Sequence, residues 1–328
     1  MRALRYHRYG SPDALQIDEL PEASPTAGHA KIRVGAVGLN PLDWKILAGH
    51  VRLIPAFRGP PRGIGCDFAG EIVGVGGGAS ERHVGERVFG SLLPFGRDGA
   101  CSEHIVVSYE RLMPLPEELD DVHAAALPIA GGTALQALTD EVHLASGQRV
   151  LITGAAGGVG HFGVQIAKHL GAHVVAVCSA GNADFVRGLG ADEVVDYSKQ
   201  DFTRRDDRFD VVFDAACASS FMASRRVLAE SGCYVNTAGD AASAVGTAAS
   251  GVLARFTSRQ RGIALVLRNG PPIWQRLLDL VRKGALRAHV DRVVSMEEVA
   301  EALRAMTTGH GRGKTVAQLS NRAPNGKR

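Results

Sequence analysis

Gly157, Gly158 and Gly160, in the run ITGAAGGVGHFG (residues 152–163), are the residues whose type and spacing speak most directly of chemistry. Two adjacent glycines let a backbone come close to a pyrophosphate, and a third lets the following helix lie close against its strand. A helix that starts there points unpaired N–H groups at whatever covers the turn, which favours phosphate. Ala155 stands where the first glycine of a GxGxxG pattern would be, so the weight falls on the flanks. Arg149–Thr153 (RVLIT) is β-branched and apolar, as a buried strand requires. The segment from Gly160 to Leu170 has helical periodicity and Gly171 is placed to stop it. His173–Val177 (HVVAV) is a second strand. Strand, glycine turn, helix and strand make one βαβ unit, the context in which such a turn binds a dinucleotide.

The elements that must hold this turn change along the chain. Up to about residue 122 the sequence is strand-like and rich in turns, with alternating runs at 30–37 and 71–75. From His123 a helical stretch opens an α/β pattern, with strands expected at 149–153, 173–177, 193–195, 210–214, 232–236 and 262–267. Residues 240–257 are dominated by small side chains and read as irregular. Helices follow at 274–283 and 297–306, and a strand closes at 314–319. With 328 residues the chain suits two domains with cores of their own. A dispersed net charge of +3, without an aromatic-studded basic stripe, argues against nucleic acid. No apolar run is long enough to span a membrane and no signal peptide opens the chain, so the expected location is cytoplasmic. Five scattered cysteines, none in CxxC, read as reduced thiols. HGRGKT (310–315) mimics the end of a phosphate-binding P-loop, but a helix precedes it and a strand follows, the reverse of what a P-loop needs.

Taken together, GLNPLDWK (38–45), GCDFAGEIVGVG (65–76), GERVFG (85–90), AALPIAGGTALQAL (125–138), ITGAAGGVGHFGVQIAK (152–168), LGADEVVDY (189–197) and HGRGKTV (310–316) resemble the zinc-independent quinone oxidoreductase branch of the medium-chain dehydrogenase/reductase superfamily. The resemblance implies an α/β protein in which a GroES-like, β-rich catalytic domain accompanies a Rossmann domain with a doubly wound parallel sheet. The expected division is 1–122 for the catalytic domain, 123–268 for the cofactor domain and 269–328 for a return to the catalytic domain, with the active site in the cleft. Zinc-dependent members carry Gly-His-Glu and two cysteines around the metal. Here Gly65-Cys66-Asp67 stands at the first place, Asn40-Pro41 at the second and Ile129–Gly131 at the third. Cys66 and Asp67 do not make the three or four ligands of a zinc tetrahedron, so no metal is expected. Zinc stabilises the alkoxide that forms when hydride reaches a plain ketone. A quinone or an α,β-unsaturated carbonyl spreads the incoming charge to a remote oxygen that hydrogen bonds can hold.

The resemblance also distributes roles. Ala156, Gly157, Gly158 and Val159 line the pyrophosphate. The second strand ends at Cys178-Ser179, with no acid for a ribose 2′-OH. Ser179 and Asn182 are then placed for a 2′-phosphate, although Gly181 and Asn182 stand where relatives often carry Arg or Lys. Tyr197 lines the adenosine side, and Lys314 approaches the phosphates. Thr133, Ala238 and Gly239 lie toward the nicotinamide, which Asn40 borders. Asp43 and Lys45 belong to the substrate wall, with Lys45 or solvent as proton source; His50 reads as a surface residue and Asp67 as either a brace or a site residue. The expected activity is NADPH-dependent (NADP as cofactor), zinc-independent reduction of quinones or enones. The alternatives are a tailoring enoyl reductase acting on a polyketide-type intermediate and an NADPH-binding protein without turnover. A small-molecule substrate and a homodimer paired through the strand at 262–267 complete the expectation.

Overall fold

The computed structural model describes residues 1–52, 59–78, 82–237, 245–247, 259–309 and 311–320. Most of the segment read as irregular, 240–257, lies outside them, as do Ala238 and Gly239. The chain packs as two units: 1–129 with 269–275 and 288–328, and 130–268 with 276–287. Both boundaries differ from the sequence reading. Residues 123–129 pack in the first unit, and 276–287, from the middle of the C-terminal segment, pack in the second.

The first unit is built on antiparallel pairing. Strands β1 (Arg2–Tyr6), β2 (Leu15–Glu19) and β4 (Arg62–Gly63) form a small sheet ordered β2-β1-β4. Between them in sequence comes β3 (His29–Gly38), which pairs with β5 (Asp67–Val75) over its whole length and with β7 (His104–Ser108) at its start. β6 (Arg87–Ser91) and β8 (Leu112–Pro114) continue that sheet beyond β5. Alternation along β3 buries Ala30, Ile32 and Val34 into one apolar core with Phe68, Ile72, Val88 and Val107. At the end of β3 the strand must pass close to helix α2 (Asp121–Ala125): a Cβ on Gly38 would stand 2.0 Å from the Ala125 carbonyl oxygen. The next residues turn into helix α1 (Pro41–Leu47), where Pro41 takes the first helical position that tolerates a missing N–H.

The second unit opens with α3 (from Pro128 to Leu135, its first residues still in unit one), which continues as a π-helical turn over Gln136–Glu141. Six parallel strands follow: β9 (Arg149–Thr153), β10 (His173–Cys178), β11 (Glu193–Asp196), β12 (Phe209–Asp214), β13 (Leu228–Asn236) and β14 (Arg261–Ala264). Their order is β11-β10-β9-β12-β13-β14, the doubly wound arrangement in which the chain switches direction at β9. Helix α4 (Gly160–His169) packs on β9 and β10 and ends where Gly171, at φ +79°, takes the left-handed conformation. The last strand is shorter than its apolar run, which extends to Leu267. The Leu265 N–H still donates to the Asn236 carbonyl (2.9 Å), and beyond it the buried Gln136 takes over, its Nε2 donating to the Val266 carbonyl (3.0 Å) and its Oε1 accepting from the Arg268 N–H (2.8 Å). The chain returns to the first unit for β15 (Val290–Val294) and β16 (Lys314–Gln318), a parallel pair whose inner member joins β3 antiparallel.

One buried carboxyl ties the switch region together. Asp214, at the end of β12, accepts from Thr153 Oγ1 (2.5 Å), the Ala218 and Ser219 N–H groups (2.9 Å each) and Tyr234 Oη (2.7 Å). It joins β9, the loop after β12 and β13 at the strand ends where the glycine turn begins. Replacing Asp214 by Ala leaves these buried donors without their acceptor. The expected loss of unfolding free energy is about 3 kcal/mol or more, against about 1 kcal/mol for Tyr234→Phe; chemical denaturation followed by circular dichroism measures both.

Candidate active site

In the second unit the geometry of the glycine turn is set by a steric limit. Gly154, at φ +56°, turns the chain out of β9. The first residue of α4 then passes so close to that turn that a Cβ on Gly160 would stand 2.1 Å from the Gly154 carbonyl oxygen and 2.7 Å from the Ala155 Cα. The turn closes on itself through Gly157 N–H to Gly154 O (2.9 Å), and the Ala155 N–H anchors it to the end of β10 through Val177 O (3.1 Å). Ala156 is buried, whereas Gly157, Gly158 and Val159 keep partial exposure at the head of α4. A turn of glycines and small residues at a helix N-terminus fits a dinucleotide's pyrophosphate.

The end of β10 carries the residues expected on the ribose side. Cys178 is buried and Ser179 is partly exposed. Asn182 turns back onto Ser179, its Nδ2 donating to Ser179 Oγ (3.3 Å) and its N–H to Ser179 O (2.9 Å). Tyr197 is no core residue. It is 51% exposed, just past β11, with its N–H on the Cys178 carbonyl (3.2 Å), so the ring stands beside the end of β10. An acid does lie nearby, though on the neighbouring strand, where the sequence reading did not look. Asp196 is in register with Cys178, and its Oδ1 accepts from the Ser198 N–H (3.0 Å) and Oγ (2.8 Å). Those bonds, the hydroxyl first, hold its carboxyl below the usual range. Thr133 sits 6% exposed on α3 in this same unit.

In the first unit a cluster of polar side chains is almost fully withdrawn from water: Asn40, Asp43, Asp67 and Lys314. Asn40 precedes α1, and its N–H donates to Asp43 Oδ2 (2.7 Å), closing the first turn of the helix. Its side-chain Nδ2 donates to Gly38 O and Asp67 Oδ2 (3.0 Å each). Asp67 also accepts from the Ile129 N–H (3.1 Å). Lys314 Nζ donates to Leu39 O (2.8 Å) and Asn40 Oδ1 (2.6 Å). Burial dominates the titration of all three ionisable groups. It pushes Asp43 up to about 7, against the Asn40 N–H and with help from the Asp67 charge. It pushes Asp67 up to about 6, against the Lys314 ammonium and hydrogen bonds from Ser91, Asn40 and Ile129. It pulls Lys314 down, against both carboxylates.

The structure therefore brings Asn40, Asp43 and Lys314 into one network and leaves Lys45 outside it. Lys45 lies partly exposed along α1, with Nζ 5.7 Å over the Trp44 ring, and exposed His50 meets the edge of the same ring at 5.5 Å. Lys314, expected at the phosphates, has both named hydrogen bonds inside its own unit instead. Asp67 accepts from both Asn40 Nδ2 and the Ile129 N–H, and so braces the Asn40 loop. Asp214 and Asp196 were missed altogether, and the signal in each case was an acid closing an apolar strand (VVFD, EVVD). Among the described residues no group of three or more His, Cys, Asp and Glu side chains is arranged to hold a metal ion, so the donor set does not fit zinc.

Comparison with known proteins agrees with this geometry. Residues 26–117 match the alcohol dehydrogenase GroES-like domain family, and residues 189–316 the family described as zinc-binding dehydrogenase. A chloroplast envelope quinone oxidoreductase homolog of Arabidopsis thaliana is 33% identical, with 97% of this chain and 98% of the relative covered. The structure of the quinone oxidoreductase from Coxiella burnetii superposes with a TM-score of 0.86 at 28% identity, covering 98% of this chain and 99% of that one. The Escherichia coli quinone oxidoreductase complexed with NADPH shares the fold, with a TM-score of 0.84 at 23% identity over 97% of this chain and all of that one.

Two outcomes follow from the geometry. Gly160→Ala forces the backbone of the turn to move at a cost of about 1–3 kcal/mol and weakens dinucleotide binding by about tenfold or more in a fluorescence titration. Gly181→Ala, whose Cβ meets nothing within 4 Å, leaves binding within about twofold. For Asp43, the folded protein binds a proton more tightly than the unfolded chain does. Its contribution to stability is therefore present at low pH and is lost as pH rises from about 4 toward about 7. Asp43→Asn, which keeps an acceptor for the Asn40 N–H, flattens that decline when denaturation midpoints are compared across the range.

Proposed function

The chain is an oxidoreductase of the quinone oxidoreductase branch of the medium-chain dehydrogenase/reductase superfamily, and from that premise we propose that it carries hydride from NADPH to quinones or α,β-unsaturated carbonyls without a metal ion. The observation that carries the reading is the turn at Gly154–Gly160, where close approach leaves no room for a Cβ on Gly160. Gly157, Gly158 and Val159 hold the pyrophosphate at the head of α4. Ser179 and Asn182 receive the 2′-phosphate, supported by a β10 that ends without an acid of its own and by an Asp196 whose Oδ1 is engaged by Ser198. Tyr197 covers the adenosine. Thr133, Ala238 and Gly239 are assigned to the nicotinamide side, the last two lying outside the described residues.

When bound, the reduced nicotinamide supplies the hydride. The chain's own part is to position and to protonate. Asn40 borders the ring, held by its hydrogen bonds to Lys314, Asp67 and Gly38. Conjugation in the acceptor moves the negative charge onto a remote oxygen, where hydrogen-bond donors suffice and a Lewis acid is not needed. Lys45, partly exposed on α1, or solvent returns the proton. The protein acts as a homodimer, a reading supported by the position of β14 at the edge of its sheet.

Stopped-flow oxidation of NADPH and NADH against benzoquinone, naphthoquinone and an enone series tests the whole. The expected result is faster turnover with NADPH, unaffected by chelator, and a drop of about tenfold or more in Lys45→Met on enones at neutral pH. Turnover abolished by chelator would end the metal-free reading. Tight NADPH binding with no oxidation across the panel would make the protein a binder, and turnover confined to one complex enone would make it an enoyl reductase.

A further inference from the structure

The buried lysine enters the proposed function only as a hydrogen-bond partner of Asn40, and strand register sets its position. β16 runs antiparallel to β3 with Val316 opposite Gly38. The ladder continues one step through the Leu39 N–H to Thr315 O (3.0 Å), which brings Lys314 level with Asn40. An ammonium only donates, whereas a carbonyl and a carboxylate only accept. With Lys314 on Oδ1, and with Gly38 O and Asp67 facing Nδ2, the amide of Asn40 has one allowed orientation. Both side chains are nearly closed to water, Asn40 at 2% and Lys314 at 3% exposure.

We propose that Lys314 is a positioning residue for hydride transfer, acting through Asn40 by fixing the orientation of its amide and the path of residues 38–40, and not through the cofactor phosphates. The proposal rests on the reading that Asn40 borders the nicotinamide. It differs from the P-loop-like and phosphate-contact readings of HGRGKT, because it predicts coupling to Asn40 and independence from cofactor charge.

The test uses the full chain with Lys314→Met, Asn40→Ala and the double variant. Expected are losses in kcat of about tenfold or more for each single variant and a double variant no worse than the poorer single one. The NADPH Kd in Lys314→Met stays within about threefold of the unaltered protein. A second readout needs no turnover: exchange of the Asn40 Nδ2 protons with solvent, followed by NMR, quickens by about tenfold or more in Lys314→Met. Multiplying losses in kcat, unchanged amide exchange, or an NADPH Kd weakened about tenfold with a shallower salt dependence would each overturn the proposal. Should Lys314→Met not fold, Lys314→Gln, which keeps a donor without the charge, is judged by the same criteria. Failure of the functional reading is seen separately, as an unaltered protein that oxidises no NADPH while Asn40 exchange still responds to Lys314.

Discussion

An ammonium group taken out of water needs oxygen partners, and in this chain that need joins the strand that begins at Lys314 to a loop about 275 residues earlier in sequence. Isolated burial of a charge is costly, and an ion pair in the interior often adds nothing net to stability. What it adds here is definition. Lys314 has the Leu39 carbonyl and the Asn40 amide as partners, Asn40 has Asp67, and Asp67 has the Ile129 N–H. Each member removes an alternative from its neighbour, so the loop that follows the strand end is tied into a connected buried network.

The second unit meets the same problem with a single carboxyl. Asp214 gathers two hydroxyls and two backbone N–H groups from three segments, fixing Thr153 one residue before the glycine turn starts. Close approach then does what hydrogen bonds do elsewhere: with Gly160 against Gly154 O, neither the turn nor the helix can slide without collision. Both units thus set their candidate site residues at the ends of packed strands with a buried polar group behind, the kind of support a site on a loop requires.

The alternation of the fold was legible because it is local. β-branched runs marked β9, β10 and β12 within a residue or two, and the helix that follows the glycine turn began at Gly160 as read. Length was less legible where a distant side chain intervened. GIALVL looks like one strand to Leu267, yet pairing ends at the Leu265 N–H, and Gln136, more than a hundred residues away, bonds the Val266 carbonyl and the Arg268 N–H. Tyr197 was ambiguous for a related reason, since an aromatic after EVVD reads equally as core, and only the register of β11 with β10 places it at a rim. Lys314 was the hardest. A Gly-Lys-Thr run suggests phosphate by local pattern, and nothing nearby in sequence reveals that antiparallel register sets Lys314 opposite Asn40.

The proton required by an enone separates the two acid–base residues of α1. Asp43 holds a proton near neutral pH, which makes it attractive as a donor, but its Oδ2 is pinned by the Asn40 N–H and its side chain is closed to water. A donor that cannot exchange with solvent must be reloaded through the protein after every turnover, and the surrounding groups are already committed: Lys314 to Leu39 and Asn40, Asp67 to Asn40 and Ile129. Lys45 is two residues further along the same helix and so on its other side, lies along the Trp44 ring and is partly exposed. Buried Asp43 therefore shapes the helix start, and for the proposed reaction the exposed side of α1 is where a donor can be reloaded from water.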